Sequence, residues 1–350
     1  MASGACVDPA ARLLRFFLVT LALLYGLFQC LRAGLYRSGT LSSKRLPRPV
    51  ISVGNIAVGG TGKTPVTAYI ARLLLGQGLR VAVLSRGYGG SREGQTTVVA
   101  DGKSLLLSAD ECGDEPFLLA STIPGLMVVI GPDRHTAGLL ALDSLAPDVF
   151  LLDDGFQHLR LQRDLNILLV DYKHPFGNGW TLPAGLLREP PSAARRADLV
   201  IQTRCPAGAE VAELVPGRPQ CCARHLLGDA IPLVGGEVLR LEALRGKKLL
   251  AFAGIAEPEG FFAGLRALGL NLVATLNFPD HAVYDAVARA EIVDQLRSSG
   301  ADLAVTTEKD GVKLKALPPD VAEKTVLARL ELSFDDPTPL TSMLRNLLQK

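Results

Sequence analysis

A glycine-rich segment at residues 51–65, ISVGNIAVGGTGKTP, combines residue types that bind the phosphates of a nucleotide. Its glycines let backbone N–H groups surround a phosphate, and a helix that begins there adds the favourable end of its dipole. Lys63 can bridge the β- and γ-phosphates, and the Thr64 hydroxyl can ligate Mg²⁺. The P-loop pattern asks for glycine where this chain has Ala57. The segment still predicts a nucleotide site, with contacts from the residues Gly59, Gly60, Thr61, Gly62, Lys63 and Thr64.

Two adjacent acids, Asp153 and Asp154, end a second apolar segment that begins after Asp148. A carboxylate in this position lies beside a P-loop and holds Mg²⁺ directly or through water. Two acids alone are also typical of a solvated turn, but the upstream P-loop favours a functional interpretation. We predict that Asp153 and Asp154 divide their work between the metal and a substrate hydroxyl, with Asp154 nearer the metal. Together the two segments predict a site for a nucleoside triphosphate and Mg²⁺.

The composition is that of a globular protein with more than one domain. The chain has 350 residues, of which 48% are hydrophobic and 21% charged, enough to bury a large core. Its net charge of +2 gives no broad basic surface. We therefore expect no nucleic-acid partner.

The pattern after position 49 alternates short apolar runs with stretches of helical periodicity, which is typical of a parallel sheet covered by helices. It predicts strands at residues 50–53, 81–84, 127–130, 149–152, 166–170, 199–202, 248–253, 271–276 and 303–306. It predicts helices at residues 65–75, 134–145, 258–268 and 283–298. The expected fold is α/β, with a P-loop NTPase-like parallel sheet flanked by helices and a smaller α/β C-terminal lobe. We place the domains at residues 1–48, 49–225 and 226–350.

An uncharged apolar run at residues 16–31 lies between Arg15 and Arg32. As a helix this run is about 24 Å long, shorter than the roughly 30 Å hydrocarbon core of a bilayer. A cleaved signal peptide and a buried core helix are the alternatives. No clear small-residue cleavage site follows the run, and basic residues do follow it, which suits an anionic lipid surface. We expect an N-terminal membrane-associated helix.

The six cysteines show neither a disulfide framework nor the spacing of metal ligands. We interpret them as reduced thiols. A redox role for the adjacent pair Cys221 and Cys222 is the weaker alternative, because no neighbouring sequence suggests an activated thiol.

Further motifs accompany the P-loop in a fixed order along the chain. They are Gly54-Asn55, the segments 85–90 (SRGYGG), 113–116 (GDEP), 153–158 (DDGFQH), 176–180 (FGNGW), 182–185 (LPAG) and 188–190 (REP), and the later segments 278–281 (FPDH) and 307–310 (TEKD). In this combination the chain closely resembles the tetraacyldisaccharide 4′-kinase family of lipid A biosynthesis. The resemblance extends from the apolar N-terminal run to about residue 315.

The resemblance implies transfer of the γ-phosphate of ATP to the 4′-hydroxyl of a tetraacylated glucosamine disaccharide 1-phosphate. It also implies an anchored or monotopic enzyme on the cytoplasmic face of a bacterial inner membrane. Its partners are then the acylated disaccharide and the membrane lipid surface, and we expect a monomer. A substrate with four acyl chains stays in the bilayer, so a helix at headgroup depth would bring the enzyme to its substrate.

The resemblance also assigns residues to the reaction. Asp114 matches the family's acid and His281 its histidine, a pair that can accept the proton of the acceptor hydroxyl. Which of the two takes the proton stays open. Glu189 matches an acid near the metal, and Arg188 can offset substrate charge. The family often has a second histidine where this chain has Ala282.

Three more residues are predicted to contact substrate. Arg86 lies in the glycine-rich loop after a strand, while Gln157 and His158 follow Asp154 and can line a sugar pocket. Two alternatives to the kinase remain. A membrane-tethered ATPase switch would carry a signature lysine before the paired glycines, where this chain has Val58. A kinase for a soluble sugar would not need the N-terminal helix.

Overall fold

The computed structural model describes residues 9–349. The helices are α1 (Pro9–Arg37), α2 (Lys63–Leu75), α3 (Ala109–Cys112), α4 (Asp114–Thr122), α5 (Arg134–Leu145), α6 (Pro258–Ala267), α7 (Ala286–Ser298), α8 (Glu308–Gly311), α9 (Pro319–Ala322) and α10 (Thr338–Leu348). The strands are β1 (Val50–Asn55), β2 (Val81–Ser85), β3 (Thr97–Asp101), β4 (Met127–Ile130), β5 (Val149–Asp153), β6 (Leu165–Asp171), β7 (Leu199–Thr203), β8 (Gln220–Pro232), β9 (Leu239–Arg240), β10 (Lys248–Ala253), β11 (Asn271–Asn277), β12 (Leu303–Thr307) and β13 (Thr325–Phe334). Short 3₁₀ turns span Pro191–Arg196 and Leu241–Leu244.

The predicted fold class is confirmed, because the chain forms a mixed α/β structure with a large, mostly parallel sheet flanked by helices. Every strand predicted from the apolar runs is present, within a few residues at each end. The pattern misses β3, the two-residue strand β9, and also β8 and β13. The last two are long strands whose residues are mostly half-buried, so polar side chains interrupt their apolar runs.

The described chain divides into two compact units that interleave along the sequence. The first contains residues up to Lys63, then Leu152–Ala223 and the segment from Phe334 onward, and the second contains Thr64–Leu151 and Arg224–Ser333. The three consecutive domains expected from the sequence stay a prediction. Asp114 and His281, which that division assigns to different domains, belong to the same compact unit.

In the first unit, β1, β6, β7 and the first residues of β8 are parallel neighbours. β1 is buried along its whole length, with Gly54 opposite Leu168 of β6. A Cβ atom on Gly54 would lie 2.7 Å from the backbone nitrogen of Phe156, so only glycine lets the chain after β5 pass this close. This contact brings the residues after Asp154 against the strand that leads into the P-loop.

In the second unit, β11, β10, β12 and β13 form one parallel set, and β2 and β4 are parallel with β3 antiparallel at the edge of β4. Helix α6 covers one face of β10 through Phe262 and Leu265, and α7 covers the other face through Ile292 and Leu296. Both faces of β10 are therefore buried, as expected for a parallel strand between helices.

Helix α1 is longer than the apolar run that predicted it, because helix-favouring alanine, leucine and arginine residues extend it at both ends. An 18-residue window within its segment Ala10–Arg37 has a mean hydropathy of 1.8 and is only 11% buried, so by length and composition the helix is able to cross a membrane. That low burial argues against the core-helix alternative. The helix touches the rest of its unit through small residues: the Thr181 hydroxyl donates to the Ala22 carbonyl oxygen at 2.6 Å, and Gly26 faces Pro190.

Candidate functional site

The P-loop follows β1 and ends where α2 begins at Lys63. Gly59 and Gly62 have φ angles of 113° and 78°, in the left-handed region that other residues avoid. Thr61 is tied down from two sides: its hydroxyl accepts from the Asn55 amide at 2.7 Å, and its carbonyl oxygen accepts from the Thr203 hydroxyl at 3.0 Å. These two hydrogen bonds fix the conformation of the loop against the ends of β1 and β7.

Lys63, Asp154 and Arg188 form a charged cluster at the start of α2. Lys63 Nζ lies 3.9 Å from Asp154 Oδ1, and the Arg188 guanidinium donates to Asp154 Oδ2 at 2.8 Å. Asp154 has a φ of 53°, so the chain turns sharply after β5 and aims this carboxylate at the lysine. Two cations around one carboxylate leave net positive charge, which suits the phosphates of a nucleotide.

A short backbone ladder holds Arg188 in place. The Val58 N–H donates to the Leu186 carbonyl at 2.7 Å, and the Arg188 N–H donates to the Ile56 carbonyl at 2.7 Å. The segment before Arg188 therefore runs antiparallel to the entry of the P-loop, with Ala57 paired to Leu187. This pairing gives Ala57 a role as part of the ladder, at the position where the P-loop pattern has glycine.

Glu189 lies beneath this cluster and is 2% exposed. Arg196 donates to both of its oxygens, at 2.6 and 2.8 Å, and the Gln157 amide adds a third hydrogen bond at 3.0 Å. Gln157 also donates to the Asn55 carbonyl at 2.8 Å, and the Arg196 guanidinium stacks 4.7 Å from the centre of the Phe156 ring. Sequence reasoning missed Arg196, since nothing distinguishes it from Arg195 beside it.

The structure brings Asp114 and His281 together. Asp114 is the first residue of α4, and its Oδ2 lies 3.4 Å from His281 Nδ1. The His281 backbone has a φ of 58°, and its N–H is bound by the Asp280 carboxylate at 3.0 Å, so a sharp turn presents the imidazole. The exposed Tyr88 ring lies edge-on to the imidazole at 6.0 Å. Their catalytic roles stay a prediction.

The glycines around Asp114 are explained by close backbone contact. A Cβ on Gly113 would lie 2.4 Å from the Tyr88 carbonyl oxygen, and one on Gly90 would lie 2.4 Å from the Glu111 carbonyl oxygen. The loop after β2 therefore rests directly on the backbone that leads into Asp114. Its glycines serve this contact as well as the turn.

The remaining predicted residues occupy different environments. Arg86 is exposed and pairs with Glu93 at 3.2 Å in the loop after β2. Asp153 is buried at the end of β5, and His158 is half-buried in the turn that follows. Their predicted contacts with substrate or metal stay predictions.

The donor set can be tested against the expected Mg²⁺. This ion takes oxygen ligands, usually one or two carboxylates together with phosphates and water. Asp154 fits, because its carboxylate is partly exposed beside Lys63. The Glu189 oxygens are already bound by Arg196 and Gln157, so Glu189 fits a supporting position better than direct ligation. Within residues 9–349 there is no cluster of three or more His, Cys, Asp or Glu side chains arranged for a metal.

The buried cysteines are poor nucleophiles. Burial raises the pKa of the Cys112 and Cys221 thiols to about 12. Burial, together with the neighbouring Cys222, raises the pKa of Cys205 further. These shifts disfavour the reactive thiolate. Cys30, on α1, is exposed, and Cys6 lies outside the described residues.

A buried strand, a glycine-rich loop and a helix opened by Lys63, with a carboxylate from a second strand beside it, define the class of P-loop proteins. The model of the tetraacyldisaccharide-1-P 4′-kinase family, LpxK, matches residues 14–349. The chain belongs to this family.

Individual relatives agree over the full length. The tetraacyldisaccharide 4′-kinase of Pelobacter propionicus is 65% identical over 350 residues, which is 100% of this chain and 97% of the relative. That of Geobacter sulfurreducens is 56% identical over 355 residues, covering 99% and 98% of the two chains. A solved structure of LpxK from Aquifex aeolicus in complex with ATP superimposes with a TM-score of 0.81 at 35% identity, covering 96% of this chain and 99% of that one.

Proposed function

We propose that the protein transfers the γ-phosphate of ATP to the 4′-hydroxyl of a tetraacylated glucosamine disaccharide 1-phosphate, in lipid A biosynthesis. The observation that carries this proposal is the full-length match to relatives that bear this activity in their names. The clustering of Lys63, Asp154 and Arg188 supports it, because phosphoryl transfer depends mainly on positioning and charge stabilisation.

The residues divide the work as follows. The P-loop N–H groups hold the phosphates of ATP, and Lys63 leaves Asp154 to contact the γ-phosphate. When bound by Asp154 and the Thr64 hydroxyl, Mg²⁺ neutralises charge on the phosphates. Arg188 stays near the transferred group as a second cation. Gln157 is held by Glu189 and presents its neighbour His158 to the sugar.

The Asp114–His281 pair removes the proton from the attacking hydroxyl. A hydroxyl must lose its proton as the new O–P bond forms, and a carboxylate in contact with an imidazole is a suitable acceptor. The reaction then breaks the bond between the γ-phosphorus and the bridging oxygen, leaving ADP. Asp153 and Arg86 are proposed to contact the sugar or its phosphate.

The cellular setting follows from α1. We propose that this helix holds the protein on the cytoplasmic face of a bacterial inner membrane, where the acylated substrate resides. Its partners are the membrane lipid surface and the acylated disaccharide. The protein acts as a monomer.

The experiment uses γ-labelled ATP and tetraacyldisaccharide 1-phosphate in detergent micelles with Mg²⁺. We expect labelled 4′-phosphorylated product from the full chain and almost none from Lys63→Ala. Lys173→Ala is the matched control, because Lys173 lies in an exposed loop. Nucleotide-bound protein that forms no 4′-phosphorylated lipid would refute the substrate assignment. Full activity of Lys63→Ala would refute the role of the P-loop.

A further inference from the structure

Two lysines of one short segment contact the two members of the Asp114–His281 pair separately. Lys309 Nζ lies 3.3 Å from His281 Nε2, and Lys313 Nζ lies 3.3 Å from Asp114 Oδ2. Lys309 belongs to α8, and Lys313 comes four residues after Lys309, in the turn that follows this helix. Residues at this spacing lie on the same side of a helical turn.

The contact at Lys309 determines where His281 carries its proton. An ammonium group has only hydrogen-bond donors, so a ring nitrogen that faces it acts as the acceptor. An imidazole that accepts at Nε2 carries its hydrogen on Nδ1. In this structure Nδ1 is the atom that faces Asp114 Oδ2, at 3.4 Å. Lys309 therefore favours the tautomer in which His281 donates to Asp114.

Lys309 is itself held by acids on two sides. Its Nζ lies 3.5 Å from Asp280 Oδ1 and 4.0 Å from Glu115 Oε1. Asp280 also binds the backbone N–H of His281. The same carboxylate thus fixes both the turn that carries the imidazole and the ammonium that faces it.

Lys313 holds the other member of the pair. Its side chain is 10% exposed and lies between Asp114 and Asp310, whose Oδ1 is 3.8 Å from Nζ. The Tyr284 ring covers it at 5.6 Å. A buried ammonium needs opposite charge close by, and here both carboxylates supply it. Because the lysine cannot move away from this position at low cost, Asp114 Oδ2 is held where it meets His281.

Asp310 holds Lys313 in a fixed position. It is fully buried and accepts hydrogen bonds from the Gly254 N–H at 3.1 Å and from the Thr307 hydroxyl at 2.7 Å. Both donors lie where strands β10 and β12 end. The end of the parallel sheet therefore fixes Asp310, and Asp310 in turn fixes Lys313.

We propose that Lys309 and Lys313 are positioning residues for proton transfer: Lys309 selects the His281 tautomer, and Lys313 holds the Asp114 carboxylate against the imidazole. The proposal rests on the proposed function, since it assumes that this pair accepts the proton of the sugar hydroxyl. The proposal gives the two lysines of residues 309–313 a role in positioning the proton-accepting pair. This role differs from that of a lysine that binds phosphate.

The first test is kinetic and uses the full chain in detergent micelles. Lys309→Met and Lys313→Met should each lower kcat by about tenfold to a hundredfold and leave KM for ATP within about threefold of its original value. Lys309→Arg and Lys313→Arg, which keep the charge, should recover most of kcat. Lys315→Met is the matched control, because Lys315 pairs with the exposed Asp110 in the same segment, and it should behave like the original protein.

Unchanged kcat in both methionine variants would overturn the proposal, as would an equal loss in Lys315→Met. A rise in KM for ATP with kcat preserved would also overturn it, because it would place the lysines on the nucleotide. If Lys313→Met does not fold, Lys313→Arg replaces it in the comparison. A kcat of Lys313→Arg as low as that of Asp114→Ala would then contradict the proposal.

The second test needs no substrate and so separates this proposal from the proposed function. In protein labelled with ¹⁵N at its five histidines, His281→Asn identifies the His281 signals. We expect the tautomer with hydrogen on Nδ1 in the original protein and in Lys315→Met, and a mixture of tautomers in Lys309→Met. An unchanged His281 spectrum in Lys309→Met would refute the tautomer role, even in a protein that proves to be an active kinase. An inactive original protein with the expected spectra would refute only the proposed function.

Discussion

At the scale of residues, a carboxylate and an imidazole in contact, Asp114 and His281, form the pair that we propose for proton transfer. Asp114→Ala and His281→Ala should each lower kcat by about a hundredfold or more. Because the two residues act as a unit, the double variant should be little worse than either single variant. Steady-state kinetics with labelled ATP measure these losses.

The controls for this prediction are exposed residues of the same types. Asp320 pairs with Arg297 on the surface, and His174 lies in an exposed loop, so alanine at either position should leave kcat unchanged. Near-normal kcat in both Asp114→Ala and His281→Ala would show that proton transfer does not depend on this pair.

The cysteines give a second prediction at this scale. A pKa of about 12 means that the thiolates of Cys112 and Cys221 form only as the pH approaches that value. Iodoacetamide at pH 8 should therefore modify the exposed Cys30 and spare Cys112 and Cys221 until the protein unfolds. Mass spectrometry of digested protein measures the pattern. Rapid modification of Cys221 in the folded protein would revive the redox interpretation of the Cys221 and Cys222 pair.

The sequence identifies some of these residues and misses others for a physical reason. Lys63 and Asp154 stand in local patterns whose chemistry depends on order along the chain, so they can be found without a structure. Lys313 acts through an ion pair with Asp114, which is distant in sequence, and Arg196 pairs with Glu189, seven positions before it. No local pattern marks a lysine or arginine that turns inward. The family resemblance supplies Asp114 and His281, but their 3.4 Å contact requires the fold.

At the scale of elements, the 3₁₀ turn Pro191–Arg196 supports the site because it places Arg196 against the Glu189 carboxylate. Removing one partner of a buried ion pair leaves the other charge uncompensated, at a cost of about 3–5 kcal/mol. Arg196→Met should lower the free energy of unfolding by that amount and lower kcat, since Glu189, which accepts a hydrogen bond from Gln157, loses the cation that holds it. Denaturant unfolding and kinetics test both effects.

Arg195→Met is the matched control for this change. Arg195 lies beside Arg196 in the same turn but faces solvent. We expect its free energy of unfolding to stay within about 0.5 kcal/mol of the original value. Equal destabilisation by the two variants would show that the turn, and not the Glu189 ion pair, determines stability here.

Helix α1 makes a prediction about membrane binding. Phe16 and Phe28 are 66% and 60% exposed, and each large apolar side chain that leaves water contributes about 1.5–3 kcal/mol. Phe16→Ser with Phe28→Ser should weaken binding to anionic lipid vesicles by about a hundredfold or more. Leu105→Ser with Leu106→Ser changes two leucines away from α1 that are 46% and 53% exposed, and it should not weaken binding. Vesicle sedimentation distinguishes the two, and equal binding by all proteins would argue against α1 as the anchor.

The helices and strands differ in how clearly their sequences predict them. β1 and β7 are buried on both faces and read as continuous apolar runs. β8 is buried at residues 221–223 and mostly half-buried after them, and its sequence includes Arg224 and Asp229. The apolar run of α1 marks only the middle of that helix, because its charged ends carry no hydrophobic signal.

At the scale of the whole molecule, the chain passes between its two compact units several times. The order of motifs along the sequence therefore does not report which of them share a unit. His281 is distant from Asp114 in sequence and close to it in space, whereas Lys63 and Thr64 are adjacent residues at a unit boundary. The three consecutive domains expected from the sequence stay a prediction, and contacts between distant segments decide which residues share a compact unit.

The small-residue contact of α1 has a practical consequence. Ala22 and Gly26 touch Thr181 and Pro190, and Pro190 directly follows Glu189 in the chain. A protein shortened by removal of α1 would lose this support beside Glu189, together with the apolar helix that we propose binds lipid. Inhibitors selected against such a shortened form would meet a surface that lacks α1 and its contacts with Thr181 and Pro190.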